Sequence, residues 1–146
     1  TLGFRKYDTA KENFSKALEL EPKNYDAMIG LGAAQRGLKE YDAAEASYKK
    51  AQALDGKRGD AYYNLGVLLK DFRAGKQENL QTSIQIYKQA KDYFKEFLAR
   101  GGADDDKAEA KEQMTVIDKT IQGLENFMKQ QAANPPAPAT PPAPKK

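Results

Sequence analysis

The chain of 146 residues contains no cysteine and no histidine. It therefore has no thiolate nucleophile, no imidazole base and no Cys/His zinc site. Carboxylates are plentiful, but none forms a recognisable acid/base pair in an apolar pocket. The sequence thus predicts no catalytic residue, no metal and no cofactor, and we expect that the protein is not an enzyme.

An excess of one charge is also lacking, since 24 Lys and Arg stand against 21 Asp and Glu, for a net charge of +3. Lys145 and Lys146 supply two of the three excess positive charges. Nucleic-acid binding needs basic residues clustered on one face, whereas here they alternate with acidic ones, so no nucleic-acid partner is expected. No run of 18 apolar residues occurs, so this segment is not expected to insert into a membrane.

What the chain does have is an internal repeat. Five positions of one set recur at a constant interval: Tyr7, Ala10, Phe14, Ala17 and Leu20 return as Tyr41, Ala44, Tyr48, Ala51 and Leu54. Four more recur at the same interval: Asp26, Ala27, Leu31 and Gly32 return as Asp60, Ala61, Leu65 and Gly66. A period of about 34 residues predicts stacked helix-turn-helix units, each too thin to bury its apolar face alone. We expect the glycines and alanines to let helix backbones approach and the aromatic residues to fill the space between units.

The spacing of six of these residues resembles that of the tetratricopeptide repeat (TPR) family across residues 1–98: Leu31, Gly32, Tyr41, Ala44, Tyr48 and Ala51. The resemblance implies an all-α fold, a TPR helix-turn-helix solenoid. It also implies that the chain binds another protein or a peptide.

The predicted TPR stack covers residues 1–100, as a partial repeat (1–22), a complete repeat (23–56) and an extended repeat (57–100). We expect Leu2 to end a helix that begins upstream of Thr1, which would make the chain a fragment of a longer protein. Helices are predicted over 6–20, 26–38 and 42–54, with Glu21-Pro22 closing the first of them.

The third repeat departs from the period, because Ser83, Tyr87 and Ala90 follow their counterparts at an interval that is five positions too long. The sequence thus predicts five inserted residues around Asp71 to Leu80, placed in a longer turn or in a first helix that runs on through Phe72. The second helix of this repeat is expected to be long, ending before Gly101-Gly102.

A C-terminal capping helix is predicted over 103–132, because six apolar residues fall on one helical stripe: Ala110, Met114, Ile117, Ile121, Leu124 and Met128. Asp104, Asp105 and Asp106 are expected to cap its free amides and to meet its dipole, in preference to holding calcium. Residues 133–146 form a Pro/Ala/Lys-rich tail, for which we expect an extended polyproline-like conformation. This tail could contact the groove of its own chain or a second copy.

In TPR proteins the first helices of successive repeats line a concave groove that receives an extended peptide or a partner helix. The resemblance implies that this chain uses the corresponding residues: Asp26, Ile29, Gly30, Ala33, Arg36 and Gly37 in the complete repeat, and Asp60, Tyr63, Asn64, Val67, Lys70 and Asp71 in the extended one.

The groove composition favours a hydrophobic or mixed peptide, which Ile29, Tyr63 and Val67 would contact. Asn64 stands where the chaperone-binding branch of the family carries an asparagine of its carboxylate clamp. Ile29 and Ala33 stand where that branch needs polar groups, so the clamp is not predicted. Alternatively, Tyr63 packs on a neighbouring helix.

Two functions remain open from the sequence. The first is a non-catalytic scaffold or adaptor that binds a partner through the concave face. The alternative is a structural subunit of a larger assembly, with a permanent interface on the last helix and on the long helix that carries Tyr93, Phe94 and Phe97. A permanent subunit should expose a large apolar patch when isolated. The Pro/Ala/Lys tail resembles in style the TPR components of bacterial cell-envelope motility and secretion machines, which favours the bacterial periplasm over the cytoplasm.

Overall fold

In the computed structural model, which describes residues 1–145, all regular secondary structure is helical. Lys146, the last residue of the predicted tail, lies outside the described residues. The α-helices run, in chain order, over Leu2–Leu20 (α1), Tyr25–Gly37 (α2), Tyr41–Leu54 (α3), Asp60–Leu68 (α4), Leu80–Arg100 (α5) and Asp104–Ala133 (α6). A π-helical segment, Leu69–Arg73, and a short 3₁₀ turn, Ala74–Lys76, continue α4.

Local side chains and backbone angles explain where several helices begin and end. The side chains of Asn24 and Asn79 accept hydrogen bonds from the amides of Ala27 (2.9 Å) and Thr82 (3.1 Å), which caps α2 and α5. Gly101 ends α5 with a φ of 88°, a conformation that glycine adopts without steric cost. The predicted helices at 26–38, 42–54 and up to residue 100 are therefore confirmed to within one or two residues.

Each helix packs mainly against the one that follows it, from α1 on α2 through to α5 on α6. The predicted all-α solenoid with an extended last repeat and a C-terminal capping helix is confirmed. The largest buried cluster lies between α4, α5 and α6, where Phe94 and Phe97 meet Ala110, Ile117 and Ile121.

The recurring glycines leave room for aromatic rings. A Cβ atom on Gly32 would lie 2.5 Å from Cε1 of Tyr48, and one on Gly66 would lie 3.0 Å from Cζ of Phe94. The expectation that these glycines bring two helix backbones together is therefore wrong, because a ring of the next helix fills the space above each of them.

This packing also corrects the predicted size of the insertion. Twelve more positions separate Gly66 from Phe94 than separate Gly32 from Tyr48, so the insertion in the third unit is twelve long and not five. Phe94, and not Tyr87, takes the place of Tyr48. The match at Ala90 misled the sequence interpretation because that alanine is buried in either register.

The inserted residues lengthen both arms of the helical hairpin. The first arm continues past α4 through the π-helical segment, as one of the two expectations held, and the second arm, α5, has 21 residues against 14 in α3. The extension is fastened to the second unit, because the rings of Tyr41 and Phe72 stack with their centroids 5.0 Å apart. Its tip is closed by the Ser83 hydroxyl, which donates to the Ala74 carbonyl (2.6 Å).

Two expectations about the chain ends are wrong. Leu2 does not end a separate helix, since α1 runs unbroken from Leu2 to Leu20 and the side chains of Leu2 and Phe4 are exposed. Asp104, Asp105 and Asp106 make no capping hydrogen bond, because Ala103 occupies the cap position. The three aspartates lie in the first turn, where the helix dipole still favours their charge.

Candidate functional site

The predicted groove residues lie on α2, α4 and the π-helical segment. Charged and polar side chains connect α2 to α4 on this α2–α4 face. Arg36 donates to the side-chain oxygen of Asn64 (3.4 Å), and Arg58 lies 2.7 Å from a carboxylate oxygen of Asp26 and 3.3 Å from one of Asp60. These ion pairs are exposed and contribute about 0–1 kcal/mol each to stability.

Asn64 is held at both ends of its amide. Its nitrogen donates to the Asp60 carbonyl of the preceding turn (2.9 Å), while its oxygen accepts from Arg36. One amide hydrogen and one oxygen lone pair remain, enough for contact with a peptide backbone.

The apolar residues of the face are half-buried. Ile29 packs against the clusters between α2, α3 and α4, and Val67 packs against the cluster of α5 and α6. Ala33 is also half-buried. Lys70 and Asp71 lie in the π-helical segment and pair with each other at 2.7 Å.

Two glycines predicted to face the groove do not lie on this face. An added Cβ would meet the ring of Phe14 at Gly30 (2.3 Å) and the ring of Tyr7 at Gly37 (2.5 Å). Both glycines therefore face α1. The reason is that the rings of α1 pack into the gaps that these glycines leave on α2.

Tyr63 combines the two roles that the sequence left open. Its ring packs edge-on against Phe94 and Phe97, with centroids 5.6 and 5.2 Å away. Burial, together with the nearby Glu109 carboxylate, raises the pKa of its hydroxyl to about 12. Its packed ring therefore places a fixed, protonated hydroxyl at the end of the face.

A cleft of about 240 Å³ opens where the face meets the start of α6. Aromatic rings and an amide form part of its wall, and the rest is carboxylate; the lining residues are Asp60, Tyr63, Asn64, Phe97, Asp106 and Glu109. Sequence reasoning missed Asp106 and Glu109, since residues on α6 have no counterpart in the repeat. It also missed Arg58, which pairs with both Asp26 and Asp60. The recurrence of Asp26 as Asp60 could have indicated this, because a cation is favourable between two carboxylates.

A second cleft, of about 410 Å³, lies between α3, α4 and α5. Its lining mixes charged, amide and aromatic side chains: Glu45, Lys49, Gln52, Tyr62, Leu69, Gln89, Asp92, Tyr93 and Glu96.

Phe94 and Phe97, which the alternative function assigned to an external interface, are buried in the protein's own core (0% and 6% exposed). The apolar stripe of α5 is longer than that of α3 because α6 covers the C-terminal part of α5.

Across residues 1–145, no group of three or more Asp or Glu side chains is arranged to hold a metal ion. In the same range, no helix combines the length and the apolar character that crossing a bilayer requires.

Comparisons with known proteins agree with this architecture. A sequence model of the tetratricopeptide repeat family matches residues 2–66. Among solved structures, the crystal structure of the Sgt2 TPR domain from Aspergillus fumigatus superposes with a TM-score of 0.61 at 20% identity, covering 96% of this chain and 81% of that domain. No curated protein sequence matches the chain. Residues 2–66 therefore carry the sequence pattern of the tetratricopeptide repeat family, and the chain as a whole has the fold of a TPR domain.

Proposed function

We propose that the protein is a non-catalytic interaction scaffold that binds an extended segment of a partner protein on the α2–α4 face. The observation that carries this proposal is the composition of that face in a TPR fold. Half-buried Ile29, Ala33 and Val67 form its centre, and charged side chains with hydrogen-bonding capacity surround them. An extended peptide needs these two elements: pockets for side chains and polar groups for its backbone.

The partner segment is hydrophobic or mixed. A free C-terminal carboxylate is disfavoured as its anchor, because Asp60, Asp106 and Glu109 line the cleft at one end of the face. Among the predicted groove residues, Asn64 alone fits the chaperone-type clamp.

Photo-crosslinking with a matched control tests the proposal. A photoreactive residue replaces Ala33 on the α2–α4 face, or Ala46 on the exposed side of α3, and the partner captured from the native lysate is identified by mass spectrometry. We expect a specific partner at position 33 and none at position 46. Charge reversal by Arg36→Glu should abolish that product, whereas Lys50→Glu, on the exposed side of α3, should leave it unchanged.

The groove proposal would be contradicted if Arg36→Glu left the crosslinked product unchanged while Val116→Lys or Phe127→Lys on α6 abolished it. That result would support the alternative, a structural subunit of a bacterial envelope assembly. Exposed apolar side chains at both ends of the stack favour this alternative: Leu2 (80%), Phe4 (49%), Val116 (42%) and Phe127 (48%).

The cellular location belongs to the same proposal. The resemblance of the tail to bacterial cell-envelope TPR proteins favours the periplasm. Fractionation of the native cells, followed by immunoblotting, would contradict the periplasmic assignment if the protein were found in the cytoplasm alone. A second copy of the chain and the chain's own tail are further candidate occupants of the protein's surfaces.

A further inference from the structure

Helix α6 has a second, sparser stripe, whose apolar members Val116 and Phe127 are exposed. Starting from Glu109, the positions Val116, Thr120, Gly123 and Phe127 follow at helical spacing and share one face. Val116 and Phe127 are 42% and 48% exposed. A Cβ on Gly123 would meet nothing within 4 Å, so a shallow open channel lies between the two side chains.

The stripe begins at an acidic end. Asp106 and Glu109 lie in the cleft beside Tyr63, and within residues 1–145 neither carboxylate has an ion pair. A cation at this end of α6 would find two carboxylates, an aromatic ring and the helix N-terminus, of which only the last disfavours it. The α6 stripe thus offers an apolar track that ends in negative charge.

The tail of the same chain has the complementary pattern. A polyproline helix has three residues per turn, so residues three apart share an edge. Four prolines fall on one such edge, namely Pro135, Pro138, Pro141 and Pro144, and the next residue is Lys145. The tail therefore presents an unbroken apolar edge that ends in a positive charge.

The lengths of the two elements agree. The stretch of α6 from Glu109 to Ala133 spans about 36 Å at the rise of an α-helix. The tail from Pro135 to Lys145 spans about 31–34 Å as a polyproline helix, and the lysine side chain extends that reach. Asn134-Pro135, at the end of α6, is a dipeptide that favours a turn.

We propose that the tail folds back antiparallel to α6, with its proline edge on the stripe from Phe127 to Val116 and with Lys145 at Asp106 and Glu109. In the structure the tail is extended and exposed, so the docked arrangement is a second state of the chain. A preformed polyproline helix loses little conformational freedom on docking, which favours such a contact. The proposal concerns the isolated chain and is independent of the proposed partner binding.

Paramagnetic broadening measures the docked state directly, because the chain has no cysteine of its own. A nitroxide is attached at Ala143→Cys in the full chain, and amide intensities are recorded by NMR with the label oxidised and reduced. We expect loss of signal at Glu109, Gln113 and Val116, at the far end of α6 from the attachment of the tail. Positions on α1 should keep their intensity.

Three variants of the labelled chain separate the two contacts. Phe127→Ser and the double change Asp106→Asn with Glu109→Gln should each restore the lost signals, because they remove the apolar and the acidic contact. Glu125→Gln, which removes one carboxylate from the other side of α6, should leave the broadening unchanged. Backbone spectra of all three should keep the wild-type pattern elsewhere, since these side chains are exposed.

Two outcomes would overturn the proposal. Equal intensities in the oxidised and reduced states at all α6 amides would show that the tail stays free. Broadening that disappears on dilution, or that appears on an unlabelled chain mixed with a labelled one, would show that the occupant is the tail of a second copy.

Discussion

The second and third units of this molecule make the same glycine–aromatic contact, although their helical hairpins differ in length. In the second unit, residues 23–56, the ring of Tyr48 covers Gly32; in the third, residues 57–100, the ring of Phe94 covers Gly66. The two contacts are equivalent although the chain between their members is longer by twelve positions in the third unit. The comparison teaches that the glycine–aromatic contact determines the register of each hairpin, while the length of the turn region is free to change.

The two units also differ in what they leave exposed. Ile29 of the second unit corresponds to Tyr63 of the third, one period later in the sequence. The tyrosine adds a hydroxyl beside Glu109 of α6, so the third unit ends the groove with polar chemistry. A chain of identical repeats would have presented the same surface throughout.

The register of the third unit is the part of the comparison with the largest expected effect. Phe94→Ala should lower the free energy of unfolding by about 3–5 kcal/mol, because the ring is fully buried on Gly66. Tyr87→Ala should cost clearly less, since Tyr87 is only half-buried. Urea unfolding followed by circular dichroism measures both. A larger loss for Tyr87→Ala would restore the shorter register that the sequence suggested.

The two glycines should differ in their tolerance of a methyl group. Gly32→Ala should destabilise by about 1–3 kcal/mol, because its Cβ would lie 2.5 Å from a buried ring. Gly66→Ala has a closest approach of 3.0 Å, and the better helix propensity of alanine, roughly 1 kcal/mol, offsets most of the strain. Equal losses in urea unfolding would contradict this order.

The stacked pair of Tyr41 and Phe72 joins the two units. Phe72→Leu keeps the apolar bulk but removes the stacking, so it should cost about 0.5–1.5 kcal/mol. Hydrogen exchange should become faster in residues 69–76 and stay unchanged in α2. Unchanged exchange in both regions would mean that the extension needs no support from the second unit.

The smallest effect concerns the titration of Tyr63. Because its pKa is raised to about 12, the folded chain keeps this proton at a pH where the unfolded chain, with an ordinary pKa near 10, releases it. Its contribution to stability is therefore complete below pH 10 and is lost as the pH rises through about 12. In an absorbance titration, Tyr63→Phe should remove a late tyrosinate step, and Glu109→Gln should move that step to lower pH. If the late step in Glu109→Gln stays at the same pH, the Glu109 carboxylate does not contribute to the raised pKa of Tyr63.

The fold followed from the sequence because several of the recurring positions are buried and carry its packing, among them Ala44, Tyr48, Ala51, Ala61 and Leu65. The bounds of α2 and α3 and the end of α5 were predictable from the repeat and from Pro22 and Gly101. The caps at Asn24 and Asn79 were not predicted, although asparagine before an apolar helix is a start signal.

The rest depended on contacts between residues far apart in the sequence. The true register of the third unit requires knowing which ring lies on Gly66, and Tyr87 and Phe94 are equally suitable as residue types. The cleft depends on α6, whose position relative to α4 no periodicity encodes, so Asp106 and Glu109 could not be assigned to it. Gly30 and Gly37 were placed in the groove because spacing alone does not say which neighbouring helix fills the gap above a glycine.

The stacking of Phe72 on Tyr41 attaches the extended third hairpin to the second unit. After this pair the chain continues to the tip of the hairpin at residues 77–79. Before it, α4 packs against α5 where Phe94 covers Gly66. The Phe72–Tyr41 stack and the ion pairs of Arg73 with Asp42 and Glu45 therefore tie the first arm of the hairpin to the start of α3. Movement of the tip away from the second repeat would break these contacts, so the longest unit of the stack is anchored to its neighbour.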